Sequence, residues 1–205
     1  MALNMAADTK KNGTAANWSS DAELTQAAAD GDPAAKRALV ERLMSRVRAT
    51  TRYLAGGHAD AEDYAQLSFV EILQSAKSFR GDSPLESWAD RIVVRTTMRY
   101  VKQLRWRSQY LTYDSDQQGT DFASAEDDVA RQRVMRRMSE LFADLKPKQR
   151  AVVTMRLVLG YSIAEIAEAT GANPNTVRYR LNTGRKKLRR RIEHDPQLSE
   201  MMGGF

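Results

Sequence analysis

The stretch that decides the fold is residues 161–191, YSIAEIAEATGANPNTVRYRLNTGRKKLRRR. Ser162, followed three residues later by Glu165, forms a capping box, which predicts the start of a short helix. Gly171 supplies the left-handed residue that commonly ends a helix, and Asn173 is a typical cap for the next one. Two helices separated by a tight glycine turn form a helix-turn-helix, so this stretch predicts that motif.

The second of these helices is strongly basic. Residues 178–191 carry eight Arg or Lys residues and no acid. The spacing of Val177, Leu181 and Leu188 puts these residues on one face, which we expect to reach the core. The opposite face carries side chains that suit base edges and phosphates, which predicts contact with DNA through Arg178, Tyr179, Asn182, Thr183 and Arg185.

The alternative interpretation of this helix is structural. Basic residues on a helix usually form a solvated face, and the motif also occurs in helical proteins that have no DNA partner. A purely structural helix more often alternates its charges, so that acids and bases pair four residues apart. Residues 178–191 show no such alternation, which favours DNA binding.

Composition limits the possible functions. The chain has 205 residues, and Lys and Arg exceed Asp and Glu by 32 to 26, which gives a net charge of +6 and favours an anionic partner. Cysteine is absent, which excludes disulfides and thiolate metal sites and suits a reducing cytoplasm. The sequence has no signal-peptide pattern and no run of about 20 apolar residues. We therefore expect a cytoplasmic protein without membrane insertion or a cofactor.

Helical patterns lie on both sides of an acidic segment, and no segment alternates with period two for long enough to predict a strand. The acidic segment, residues 108–130, holds six acids and no base. These patterns predict an all-α protein of two small helical domains joined by a flexible acidic linker. The predicted boundaries are a disordered tail at 1–18, a first domain at 19–107, the linker at 108–129, a second domain at 130–195 and a tail at 196–205.

Capping residues and prolines predict helix starts at Ser20, Asp32, Asp60, Ser83 and Pro147, and a second helical unit that begins around residue 126. The helices that start at Asp32, Asp60 and Ser83 are expected to end near Leu54, Lys77 and Arg107. The predicted core of the second domain consists of Val134, Met138, Leu141, Leu145, Val152, Val153, Met155 and Leu157.

Residues 60–107, DAEDYAQLSFVEILQSAKSFRGDSPLESWADRIVVRTTMRYVKQLRWR, resemble domain two of bacterial RNA polymerase sigma factors of the extracytoplasmic-function class. The resemblance rests on the DAED run, the FRGDS loop at 79–83 and the later W-xx-RI run. Residues 145–192 look like domain four of the same class. Two motifs in the right order and spacing are more specific than either alone.

The resemblance implies a non-catalytic subunit that docks on core polymerase, recognises the −35 and −10 promoter elements and promotes DNA opening. It also implies an anti-sigma factor as a further partner. The implied polymerase contacts are Asp60, Glu62, Asp63, Gln66 and Phe69. The implied −10 contacts are Phe79, Arg80, Gly81, Asp82, Ser83, Arg91, Arg95, Arg99, Lys102 and Arg105. The implied −35 contacts are Asn175, Thr176, Arg178, Tyr179, Arg180, Asn182, Thr183, Arg185 and Lys186.

The chain departs from the family pattern in three places. Leu67-Ser68 stand where acid-Thr is usual, and Arg95 stands where Asn is common in the base-reading helix. Asn182-Thr183-Gly184 replace a His/Phe-Arg-Ala run. Gly184 weakens a helix relative to alanine but permits a close backbone approach, so we expect an unusual −35 preference.

Several alternatives stay open at the level of sequence. Trp88 and Phe79 are candidates for core packing as well as for a base pocket, and the acidic linker is either a nucleic-acid mimic or a plain tether. A stand-alone helix-turn-helix regulator would explain residues 161–191 equally well but leaves residues 60–107 without a role. A metal-dependent nuclease built on the acids near Asp60 is disfavoured, because the two histidines, His58 and His194, lie far apart.

Overall fold

The computed structural model describes residues 18–56, 60–110, 136–137 and 139–194, with the side chains of residues 104–110 outside this description. The described residues form helices joined by turns and contain no strand, as the all-α prediction requires. The predicted N-terminal tail, the acidic linker beyond residue 110, the C-terminal tail, Val134 and Met138 fall outside the described residues. Trp18, the last residue of the predicted tail, packs against the core.

The first module is a four-helix unit built around one central helix. Its helices are α1 (Asp21–Ala29), α2 (Pro33–Ala55), α3 (Ala61–Ser75) and α4 (Leu85–Tyr110), with a 3₁₀ turn (Ala76–Ser78) after α3. Helix α2 contacts the other three helices. It buries every fourth residue along one stripe, the pattern of a helix with one apolar face, at Ala35, Leu39, Leu43 and Val47.

Local signals set the ends of α2. The Oδ1 atom of Asp32 accepts hydrogen bonds from the backbone N–H groups of Ala34 at 2.8 Å and Ala35 at 3.3 Å. Gly56 ends the helix with φ of +69°, a left-handed conformation that glycine adopts without steric penalty. Both ends lie where the sequence predicts them.

Other boundaries differ from the predicted ones. Asp60 occupies the cap position of α3 but makes no capping hydrogen bond through its side chain. Helix α3 gives way to the 3₁₀ turn after Ser75, two residues before Lys77. Helix α4 continues to Tyr110, three residues into the predicted linker and beyond the expected end at Arg107.

The second module carries the helix-turn-helix. It consists of helical residues 139–143, α5 (Pro147–Val153), a π-helical turn (Thr154–Val158), α6 (Ile163–Thr170) and α7 (Pro174–Glu193). The predicted core residues Leu141, Leu145, Val152, Val153 and Met155 are buried.

The assignment of Leu157 to this core is wrong, because its side chain is 45 % exposed. The prediction assumed that one α-helix continues past Val153. The backbone instead widens into the π-helical turn Thr154–Val158, which has more residues per turn than an α-helix and so places Leu157 towards solvent.

The two modules pack against each other and share one continuous apolar cluster. The rings of Tyr53 at the end of α2 and Phe142 lie 5.3 Å apart. Arg150 of α5 is only 5 % exposed and donates hydrogen bonds to the carbonyl of Leu54 at 3.0 Å and to that of Ala143 at 3.0 Å. The side chain of one module therefore caps the end of a helix in the other.

A polar contact joins the modules at a second point. Tyr161, just before α6, donates its hydroxyl to Asp90 Oδ2 of α4 at 2.9 Å. Asp90 is 2 % exposed and also accepts from Nε and Nη2 of Arg46, at 3.0 Å and 2.7 Å, so its buried charge is paired. The pKa of Tyr161 is raised to about 12, mainly by burial and in smaller part by the negative charge of Asp90.

Candidate nucleic-acid and polymerase interfaces

The helix-turn-helix has the predicted local geometry. The Ser162 hydroxyl accepts from the Glu165 N–H at 3.2 Å, and the Glu165 carboxylate accepts from the Ser162 N–H at 2.7 Å. These hydrogen bonds lower the pKa of Glu165. Gly171 ends α6 with φ of +61°, and the Asn173 side chain accepts from the Asn175 N–H at 2.8 Å to begin α7. The capping box and both caps are confirmed.

Helix α7 buries one stripe and exposes the opposite face. Val177, Leu181, Gly184 and Leu188 form the buried stripe. Tyr179 is 68 % exposed, so its large aromatic side chain stands on the solvent-facing side of the helix. The other predicted contacts that lie fully exposed are Asn175, Arg178, Asn182, Arg185 and Lys186.

One donor on the exposed face is already oriented. Nη1 of Arg178 donates to Oδ1 of Asn175 at 2.9 Å, which holds the guanidinium over the first turn of the helix. Among the described residues, Arg180, Arg185 and Lys186 form no ion pair, whereas Arg189 pairs with Glu193. Acids in the described part of the chain therefore leave most of the positive charge on this face uncompensated.

Thr183 points differently from its neighbours. Its hydroxyl accepts from Nε2 of Gln149 on α5 at 3.0 Å and donates to the carbonyl of Tyr179 at 2.8 Å. Thr176 and Arg180 are also half-buried. Sequence reasoning missed Gln149, which lies 34 positions away from Thr183 and carries no local signal for this contact.

The predicted docking helix α3 presents a narrow exposed stripe. Asp63 and Gln66 are exposed on neighbouring turns, and Val70 continues the stripe with 50 % exposure. Glu62 is tied to Arg48 by an ion pair of 2.8 Å, and Phe69 packs against the core. The apolar residue that faces solvent on this helix is therefore Val70, which the sequence analysis did not single out.

The FRGDS loop joins α3 to α4. Phe79 packs edge-to-face against Trp88, with the ring centroids 5.4 Å apart, and both rings are half-buried. Arg80, Gly81 and Asp82 are exposed, and Ser83 is half-buried. The loop therefore places a charged tip over an aromatic pair.

Helix α4 carries on its surface the basic residues that are predicted to contact the −10 element. Arg95, Arg99 and Lys102 are exposed, and Arg99 also binds Glu71 and lies 5.3 Å from the centroid of the Tyr100 ring. The bond to Glu71 is the main cause that raises the pKa of Arg99. Arg91 is half-buried and pairs with Glu168 of α6 at 3.3 Å, and the Arg105 side chain lies outside the described residues.

Within the described ranges, no three His, Cys, Asp or Glu side chains gather where they could hold a metal ion. None of the described helices combines the length and apolar character that a membrane crossing requires. The surfaces above are built from cations, carboxylates, amides and aromatic rings.

Two families match this chain in the order of its modules. The Sigma-70 region 2 family matches residues 39–107, and the family described as Sigma-70, region 4 matches residues 135–188. The first match covers most of α2, α3, the FRGDS loop and most of α4, and the second covers α5, α6 and most of α7.

Named relatives and a solved structure agree with these matches. The ECF RNA polymerase sigma factor SigM of Mycobacterium tuberculosis is 30 % identical over 83 % of this chain and 84 % of its own length. The ECF RNA polymerase sigma-E factor of Haemophilus influenzae is 27 % identical over 84 % of this chain and 95 % of its own length. The sigma factor RpoE from Bartonella quintana, solved in complex with the anti-sigma factor NepR, shares the fold with a TM-score of 0.56 at 19 % identity, over 76 % of this chain and 95 % of that one.

The family matches, the identity to SigM and the shared fold lead to one conclusion: this chain belongs to the extracytoplasmic-function class of RNA polymerase sigma factors.

Proposed function

We propose that this chain is a promoter-specificity subunit that binds core RNA polymerase, reads the −35 and −10 promoter elements and promotes opening of the DNA, without catalysing a reaction itself. The observation that carries the proposal is the exposed, cationic face of α7 in a chain that also presents the stripe of α3 and the basic surface of α4. The family supplies the link between these surfaces.

Duplex −35 DNA would be read by the exposed face of α7. Arg is the usual bidentate partner of guanine and Asn of adenine in the major groove, which suits Arg178 and Asn182. The Tyr179 ring offers an apolar contact for a thymine methyl group. Phosphates would be bound by the polar residues of the first turn of the helix and by its remaining basic side chains, namely Asn175, Thr176, Arg180, Arg185 and Lys186.

The −10 element would be opened by the FRGDS loop and α4. Extruding a base costs a few kcal/mol, which a pocket and backbone contacts must offset. Phe79 with Trp88 offers an aromatic surface for the extruded base, and the exposed loop tip offers further polar contacts through Arg80, Gly81, Asp82 and Ser83. The phosphates of the single strand would lie along the basic side chains of α4, namely Arg91, Arg95, Arg99, Lys102 and Arg105.

Polymerase would dock on α3. Asp63 and Gln66 supply exposed acceptors, and Val70 supplies an apolar surface that a partner would remove from water. Asp60 and Glu62 stand at the helix start, where negative charge also favours the helix dipole. Phe69, half-buried beside this stripe, belongs to the same proposed docking surface.

Three further assignments belong to this proposal. The chain works where the polymerase is, in the cytoplasm. A regulatory anti-sigma factor holds it inactive, a partner that the RpoE of Bartonella quintana has in its solved complex. The two domains correspond to residues 19–107 and 130–195, joined by the acidic segment.

The test is run-off transcription with core polymerase on a promoter library, with and without this chain. We expect defined start sites only when the chain is present, together with capture of core polymerase in a pull-down at modest ionic strength. Absence of both would overturn the proposal. Tight binding of a palindromic site by the chain alone would instead support a stand-alone regulator.

A further inference from the structure

Helix α7 rests on α5 at a point where no side chain fits. Gly184 lies in the middle of α7, although glycine weakens a helix interior relative to alanine. A Cβ atom at this position would lie 2.6 Å from Cγ2 of Val153. Val153 is fully buried, and a β-branched side chain has few rotamers into which it can move away. Gly184 therefore sets how closely α7 approaches α5.

A chain of hydrogen bonds fixes α7 beside this contact. The Lys146 N–H donates to Gln149 Oε1 at 3.4 Å, and Gln149 Nε2 donates to the Thr183 hydroxyl at 3.0 Å. The Thr183 hydroxyl donates in turn to the carbonyl of Tyr179 at 2.8 Å. The Gln149 amide therefore has one orientation that satisfies both contacts, with Oε1 towards the Lys146 N–H and Nε2 towards the Thr183 hydroxyl.

These contacts determine where the exposed face of α7 points. The glycine contact limits the depth of the helix, and the hydrogen bonds limit its rotation about its own axis. Bidentate contacts with base edges tolerate displacements well below 1 Å, so a small rotation would misplace the tips of Arg178 and Asn182.

We propose that Gln149, Thr183 and Gly184 are positioning residues for −35 recognition. They hold α7 at the depth and rotation at which Arg178 and Asn182 meet the bases, and Thr183 acts through Gln149 rather than by touching DNA. This inference rests on the proposed function of α7, and its test separates the two.

The first experiment uses the full chain with core polymerase and selects −35 sequences from randomised duplex promoters. The wild-type chain is expected to enrich one −35 sequence, and failure to do so would contradict the proposed function rather than the positioning role. Thr183→Val removes the hydroxyl at nearly constant shape, and Thr183→Ser is the matched control that keeps it. We expect the preference over a scrambled −35 element to fall about tenfold for Val and to be retained by Ser.

The Gln149→Met variant distinguishes a positioning role of Thr183 from a direct contact between Thr183 and DNA. If Thr183 acts through Gln149, this variant reproduces the loss of preference seen with Thr183→Val, and the salt dependence of binding stays unchanged because no phosphate contact is lost. The positioning role is overturned if Gln149→Met keeps the wild-type preference while Thr183→Val loses it at a single base. It is also overturned if both variants keep the wild-type preference.

A double variant tests the glycine contact. Gly184→Ala is expected to lower the −35 preference about tenfold, because its methyl group pushes α7 away from Val153. Val153→Ala removes the opposing methyl groups, so the double variant should recover most of the preference, and Val153→Ala alone controls for the lost volume. Failure of the double variant to recover any preference would overturn this contact. Circular dichroism confirms that each variant is folded, and if Gly184→Ala alone is not, the double variant is compared with Val153→Ala.

Discussion

At the scale of single residues, the buried ionic contact around Asp90 is a source of measurable pH dependence. Tyr161 donates to Asp90 from within the interface, and its pKa is raised to about 12 from an ordinary value of 10.0. The neutral phenol is therefore favoured in the folded state, and this contribution is complete below about pH 10 and lost as pH rises towards 12.

Tyr161→Phe should accordingly flatten the alkaline loss of stability. Between pH 10 and 12 we expect the free energy of unfolding of the wild type to fall by roughly 1 kcal/mol per pH unit more than that of the variant. Urea unfolding at a series of pH values measures this difference. Burial also raises the pKa of Tyr64, so some alkaline loss remains in the variant. Parallel curves for the two proteins would contradict the assignment.

A second residue-scale prediction concerns base reading. Arg178→Ala should cost about 1–3 kcal/mol on the cognate −35 element and relax the choice of base at one position, because a bidentate contact is lost. Polymerase binding should be unchanged. Arg189→Ala is the matched control, since it removes a charge of the same helix that pairs with Glu193. Equal losses on cognate and scrambled duplexes, measured by fluorescence anisotropy of the holoenzyme, would count against base readout.

At the scale of elements, α3 makes a prediction that follows from its exposure pattern. Val70→Ser should weaken association with core polymerase about tenfold, because an apolar side chain at the centre of a docking surface is lost. Val158→Ser, at 39 % exposure in the other module, is the matched control. Both variants should unfold at the wild-type temperature. A pull-down in which the two variants behave alike would argue against docking through α3.

The loop before α4 makes a separate prediction. Phe79→Ala removes one ring of the edge-to-face pair with Trp88. We expect closed complexes to form at the wild-type level while opening slows, since the extruded base loses about 1–3 kcal/mol of stacking. Permanganate reactivity of unpaired thymines follows opening directly. Wild-type opening by this variant would remove Phe79 from the proposed base surface.

Sequence reasoning succeeded at this scale where the signal is local. The caps of α6 and α7 and both ends of α2 depend on residues within four positions of one another, so their pattern is visible in the chain itself. Leu157 was misplaced because a π-helical turn changes the phase of a helix without a distinctive sequence.

The candidate surfaces were predicted less completely than the helices. The basic residues of α4 and α7 can be recognised in the sequence as runs of positive charge. The solvent exposure of each side chain, however, depends on which residues pack against its helix. Phe69 is held by the core while Val70 faces solvent, and hydropathy alone does not separate these two residues. The Gln149–Thr183 contact is likewise long-range, so only the packed structure reveals it.

At the scale of the whole molecule, the packing of the modules brings their proposed DNA-binding surfaces close together. Arg91 of α4 touches Glu168 of α6 at 3.3 Å, next to the helix that would read the −35 element. The two promoter elements are separated by about two and a half turns of DNA, or roughly 85 Å. The modules must therefore separate before one chain can hold both elements.

This requirement gives a prediction about distance. Because the chain has no native cysteine, dyes can be placed on cysteines introduced at the exposed positions Gln74 and Arg189. Energy transfer should be high in the free chain and fall when core polymerase is added. Asp90→Asn should lower transfer in the free chain, because it weakens the contact to Tyr161 of the other module. Constant transfer on adding polymerase would show that separation is not needed.

The side chain of Arg150 makes the stability of the last turn of α2 depend on contact with the other module. Its guanidinium donates a hydrogen bond to the carbonyl of Leu54, close to Gly56, which ends the helix. A residue of the other module therefore satisfies a backbone acceptor of this turn. Each excursion that parts the modules uncovers the turn and lets it fray. The rate of deuterium uptake by the amides near Leu54 should therefore report how often the two modules separate in the free chain, and its measurement needs no dye.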